Sequence, residues 1–97
     1  MPTETFSVRK NPKTVANKAL GIMKRAKLAG FKLKESGVKQ QGDAFVATAR
    51  WEEGGFFGDS AELRVEARMA YSGGTDVVIT SSGDRCARLA QRLRKSL

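Results

Sequence analysis

Ninety-seven residues make one domain, which at this size buries roughly 60–70% of the surface its unfolded chain exposes, and no second domain fits. The net charge is +8, and with no His and a single Cys86 the chain can form neither an internal disulfide nor the usual zinc ligand sets, so a reducing compartment is the default. No apolar run approaches the ~20 residues that span a bilayer, and the opening MPTETFSVRK lacks a signal-peptide pattern, so a soluble, cytoplasmic monomer is expected, with peripheral membrane association open to it.

In chain order, residues 5–9 (TFSVR) alternate Phe6 and Val8 with polar neighbours and read as a short edge or near-edge strand. Residues 11–30 (NPKTVANKALGIMKRAKLAG) read as an amphipathic helix: Asn11 is a good N-cap, Pro12 suits the first helical position, and Gly30 can take the left-handed conformation that closes a helix. Val15, Ala19, Ile22, Met23 and Ala26, with Ala16 and Leu20 beside them, make its apolar stripe; Lys13, Lys18, Lys24, Arg25 and Lys27 take the remaining surface without one acidic residue. Such a helix forgoes the i±4 ion pairs worth a few tenths of a kcal/mol each, so its charge is either tolerated or used.

Residues 31–36 (FKLKES) alternate again, with Lys32 and Lys34 pointing away from the core, and Gly37 and the QQGD at 40–43 mark a turn. Residues 44–52 (AFVATARWE) place Phe45, Ala47, Ala49 and Trp51 on one face, where small alanines permit close approach of a helix. The loop GGFFG at 54–58 carries two adjacent aromatics; one ring can plug the core, or the tip can dip into a membrane or a partner groove.

Residues 61–71 (AELRVEARMAY) give the clearest strand, with Leu63, Val65, Ala67, Met69 and Tyr71 inward and Glu62, Arg64, Glu66 and Arg68 wet. Ser72-Gly73-Gly74 makes a turn into the β-branched strand 75–81, with Val77 and Ile79 inward. The last helix starts near 82–84, capped by Ser82 or Asp84; Cys86, Leu89, Ala90, Leu93 and Leu97 form its stripe, opposite Arg85, Arg88, Arg92, Arg94 and Lys95. The expected fold is α+β, in the order β-α-β-β-β-β-α, with an antiparallel sheet whose one apolar face is covered by both helices.

The charge is unevenly placed: residues 9–39 carry +9, residues 40–76 carry −4 and residues 77–97 carry +4. A field of one sign over one side concentrates anionic partners, phosphates on lipid or nucleic acid above all, although basic surfaces also simply keep small domains soluble.

The order of elements resembles a family, the first kinase-associated domain found at the C-termini of microtubule-affinity-regulating, septin-associated and plant calcineurin-B-like-interacting kinases and of the checkpoint effector kinase. The resemblance is carried by TFSVRKNP (Phe6, Ser7, Pro12), by Gly30-Phe31 at the helix-to-strand junction, and by a meander ending in SSGD at 81–84. The chain departs from the family at Thr5, where an Arg is frequent, at Arg85-Cys86-Ala87 and at GGFFG. The resemblance implies a non-enzymatic module without cofactor that binds acidic phospholipid headgroups and, in kinases, holds a protein kinase catalytic domain inactive until the membrane releases it. The residues assigned to anion binding are Lys13, Lys18, Lys24, Arg25, Lys27, Lys32, Lys34, Arg88 and Arg92.

Nucleic-acid binding is the alternative, because a basic sheet-plus-helix domain can track a phosphate backbone; against it, Phe45, Trp51 and Tyr71 fall on the face assigned to the core rather than on an open stacking platform. Catalysis is the weakest reading: without His, acid–base work would fall to carboxylates, Lys or Tyr71, Cys86 lies on an apolar stripe, and GGFFG lacks the Lys-Ser/Thr of a phosphate-cradling loop.

Overall fold

The computed structural model describes residues 3–28, 30–54, 58–82 and 84–97; Phe56, Phe57 and Gly83 lie outside the described residues, as do the side chains of Asp84 and Arg85, so the readings of the GGFFG loop and of the last helix's cap fall there. The elements run β1 (Thr3–Val8), α1 (Pro12–Arg25), β2 (Phe31–Gln41), β3 (Ala44–Glu53), β4 (Ser60–Met69), β5 (Thr75–Ser82) and α2 (Asp84–Ser96), the expected α+β order. The five strands form one antiparallel sheet in the order β1-β5-β4-β3-β2, a four-strand meander with β1 returned to its far edge.

Both helices cover one face of this sheet. Val15, Ala16, Ala19 and Met23 of α1 and Cys86, Leu89, Ala90 and Leu93 of α2 share a core with Ala47, Ala49 and Trp51 of β3, Ala61, Leu63, Val65 and Ala67 of β4, and Val77 and Ile79 of β5. Alanines meet alanines where α1 crosses β3 and β4, which brings helix and sheet close and leaves Trp51 as the largest buried side chain.

The start of α1 is built as its sequence dictates. Asn11 caps it, its Oδ1 accepting from the Thr14 N–H at 2.8 Å, and Pro12 occupies the first turn. Its end differs from expectation: Ala26, in extended conformation, is the C-cap, its N–H donating to the Met23 carbonyl, and Gly30 closes no helix. The cause is burial, since Ala26 and Leu28 both pack against the core, and a continued helix would turn one of them outward. Gly30, at φ +81°, instead shapes the entry to β2, where the Phe31 N–H donates to the Leu28 carbonyl.

Two further expectations are corrected. Gly37 does not turn the chain; β2 runs through it, and Gly42-Asp43 alone makes the hairpin, with Gly42 at φ +61°. Met69 and Tyr71, expected inward, are both exposed, Tyr71 fully so in the turn after β4, because the sheet ends at Met69 and the Ala70 N–H is taken by the Gly74 carbonyl across that turn. The same turn fastens the start of the fold. A Cβ at Gly74 would lie 2.7 Å from the Val8 carbonyl oxygen, and the buried Thr75 hydroxyl donates to the Lys10 carbonyl, so the β1–α1 junction is held against the β4–β5 turn.

Candidate functional site

The fold sorts charge by layer. Residues 9–28 and 84–97, the two helices and their flanks, hold twelve of the eighteen Lys/Arg and, among ten acids, only Asp84. α1 presents Lys13, Lys18, Lys24 and Arg25 as exposed side chains with Lys27 just beyond its end, and α2 presents Arg88, Arg92, Arg94 and Lys95. Among the described side chains only Arg94 has an acidic partner: it lies 3.8 Å from Glu4 and 5.8 Å over the ring of Phe6, so it leans from α2 onto β1 while staying exposed.

The unpaired cations converge at two places. Lys10 lies beside Lys18, and its amine, through a hydrogen bond and its charge, holds the Lys18 ammonium below the ordinary lysine range. At the other end Arg25 and Arg92 line one small cleft of about 150 Å³ between the C-terminal turns of the helices, with Ile22, Ala26 and Ser96. At this cleft Arg92 of α2 joins the cations of α1. Lys32 and Lys34, assigned to anion binding together with the helix cations, lie apart from that cleft. Five residues separate the end of α1 from β2, Lys32 pairs opposite Glu52 on the face away from the helices, and the register shifts between Leu33 and Glu35, which makes Lys34 the extra residue of a bulge.

The face away from the helices is open and electrostatically mixed. Cross-strand register lays it out in rows: Glu35, Arg50, Glu62 and Ser82; then Gly37, Thr48, Arg64, Thr80 and Thr3; then Lys39, Val46, Glu66, Val78 and Thr5; then Gln41, Ala44, Arg68, Asp76 and Ser7. Arg50 meets Glu52 at 3.0 Å and Glu62 at 3.8 Å, and Arg68 meets Glu66 at 3.0 Å and Asp43 at 3.9 Å. Ser7 donates to Asp76 at 2.7 Å. None of the described residues pointing from this face is aromatic.

Lys10 was missing from the sequence-derived set because it precedes the helix cap, where no periodicity links it to Lys18. The rows of the open face were half legible: the alternation of residues 62–68 was plain, but which side chains sit opposite each other depends on register. Cys86 is fully buried, and burial pushes its thiol up to about 11, so it is a packing residue and a poor nucleophile at neutral pH. Among the described residues no helix is long and apolar enough to cross a membrane, and no three His, Cys, Asp or Glu side chains gather where they could hold a metal ion.

No family model matches the chain, and no curated protein or solved structure is found to be similar to it.

Proposed function

We propose that this chain is a non-catalytic module that docks on acidic phospholipid headgroups through its helical layer. The single observation that carries the reading is the segregation of charge: the helical layer holds twelve cations against one acid, and its described cations other than Arg94 have no counter-charge among the described residues, whereas the sheet-face arginines Arg50 and Arg68 are paired off. Unpaired charge projects a field, while paired charge does not. Each Lys or Arg near an anionic leaflet contributes ~1 kcal/mol, so the five or six cations of one face would give useful attraction without a carved pocket, and the cleft at Arg25 and Arg92 is small. The Lys10–Lys18 pair adds to this, because a headgroup phosphate between two ammonium groups would relieve their repulsion. Where a protein kinase catalytic domain is present, in the same chain or another, the same basic layer is the surface for which it and the membrane would compete, as the resemblance to the first kinase-associated domain implies.

The test is cosedimentation with neutral vesicles carrying increasing fractions of phosphatidylserine, beside shift assays with single- and double-stranded oligonucleotides at matched salt. Binding should rise with the anionic fraction and collapse as the screening length falls from about 30 Å at 0.01 M salt to about 3 Å at 1 M. Vesicle binding that ignores salt, or tight oligonucleotide binding with none to vesicles, overturns the reading; the second outcome would point to a phosphate backbone gripped by the same helices.

A further inference from the structure

We infer that the open face of the sheet carries a second, independent site, for a small hydroxylated carboxylate of the sugar-acid type, centred on Arg64. This face holds a shallow depression of about 370 Å³ that spans β2 to β5, near the lower end of the roughly 300–1,000 Å³ range of small-molecule sites. Two rows of side chains form its rim. In the first, Arg50 stands between Glu35 and Glu62 and is neutralised by Glu62 and Glu52. In the second, Arg64 stands between Thr48 and Thr80, with a hydroxyl on each side where the first row has a carboxylate.

Arg64 is exposed and takes part in no ion pair or hydrogen bond among the described residues, unlike Arg50 and Arg68, the other two arginines of the face. A guanidinium with a hydroxyl on either side is a fork for one carboxylate: two parallel N–H donors from the arginine, and an O–H from either threonine.

The rest of the lining selects what that carboxylate belongs to. Glu35 and Glu62 share the depression, and two carboxylates disfavour a doubly charged phosphate while accepting hydrogen bonds from hydroxyl groups. Ser82 and Arg50 add donors on the same side. Ala49 and Leu63 also line the depression, but their side chains are buried in the helix-side core, so they contribute backbone to its floor. Among the described residues no aromatic ring lines it, so none of them offers the stacking that a nucleobase would need. A monoanion bearing several hydroxyls satisfies all of these groups at once. Because the site faces away from the helical layer, its occupation does not depend on docking to an anionic surface.

The experiment is a titration of the isotope-labelled chain with glucuronate, followed by backbone amide shifts, with glucose and acetate as half-ligands. Glucuronate should move the amides of Thr48, Arg64 and Thr80 and their row neighbours, saturating in the millimolar range or below, while glucose, lacking the carboxylate, and acetate, lacking the hydroxyls, should each bind at least about tenfold more weakly, as loss of one charged hydrogen-bonded contact implies. Arg64→Gln should weaken glucuronate by about tenfold or more, and Thr80→Val by a smaller factor, both with unchanged circular dichroism, since both positions are on the wet face. Shifts confined to the helical layer, an Arg64→Gln variant that titrates like the parent, or acetate binding as tightly as glucuronate would each overturn the assignment. Replacing Lys24, Arg25 and Lys27 with Ser should leave the glucuronate titration unchanged, which keeps this site's failure separate from that of the membrane reading.

Discussion

Arg25 on the helical layer and Arg68 on the open sheet face are both exposed, yet only Arg68 has counter-charges, at 3.0 and 3.9 Å. The difference follows from how each kind of element brings side chains together. On the sheet, alternation places Glu66 two residues from Arg68 on the same face and the β2–β3 hairpin brings Asp43 beside it, so acids and bases of this face neutralise one another. On α1, neighbours are three and four residues apart, and residues 12–25 contain no acid to occupy those positions. The two faces thus diverge: one is a net of ion pairs from which Arg64, Lys32 and Lys39 are left over among the described residues, the other a layer of like charges with Lys10 and Lys18 crowded together.

The contrast can be broken at several levels. The largest effect is expected where both layers meet, since Trp51 is the largest buried side chain: Trp51→Ala should cost on the order of 3–5 kcal/mol by denaturant unfolding, enough to unfold a marginal domain and abolish the contrast altogether. Trp51→Phe should cost much less, because the indole Nε1 is enclosed without a hydrogen-bond partner and its removal relieves a desolvated donor. An unchanged melting temperature in Trp51→Ala would show that the ring does not hold the layers together.

Next comes charge removal. Replacing Lys24, Arg25 and Lys27 with Ser should weaken binding to phosphatidylserine vesicles by about 3 kcal/mol, at ~1 kcal/mol per charge, without loss of fold. The matched change of Lys39, Arg50 and Arg68 on the sheet face should do far less; equal losses would show that net charge, not its layering, governs attraction.

The inner side of the helical layer can be probed by pH. Burial raises the Cys86 thiol from about 9.0 to about 11, so the folded state holds its proton longer than the unfolded chain does. Stability from this group is therefore complete below about pH 9 and declines as pH rises towards 11. Relative to Cys86→Ala, the parent should lose stability across that window in urea melts and should resist alkylation at pH 8; a difference that stays constant with pH would refute the burial. The smallest effect is expected for Arg68→Ala, less than about 1 kcal/mol of stability, because its pairs are solvent-exposed.

Periodicity carried most of the architecture. Val15 to Met23 on α1, Leu63 to Ala67 on β4 and Cys86 to Leu93 on α2 all point where their spacing required, and the α+β order followed. What failed was punctuation. The expectations for Gly30 and Gly37 rest on local chemistry and that for Tyr71 on an alternation carried past the end of its strand, and each was decided elsewhere: by the pull of Leu28 into the core, by the hairpin at Gly42, and by the end of the sheet at Met69. The basic surface was legible as composition because the acids are absent from one stretch of chain. Its layout was not, since the meeting of Arg25 with Arg92, and of Arg64 with Thr48 and Thr80, depends on helix crossing and strand register.

The return of β1 to the far edge of the sheet carries a kinetic consequence. Its hydrogen bond from Ser7 to Asp76 joins residues 69 apart, whereas every other strand pair is closed by a turn or short loop, so loop-closure entropy predicts that β1 pairs last. Glu4 and Phe6, the two groups that clamp Arg94 at the end of α2, ride on that strand. On that prediction the last strand to pair is also the one that seats the last turn of α2, whose Arg92 and Ser96 share a cleft with Arg25. In native-state hydrogen exchange β1 amides should open at lower free energy than those of β3 and β4, and each such opening would loosen the C-terminal arginines while leaving the lysines of α1 in place.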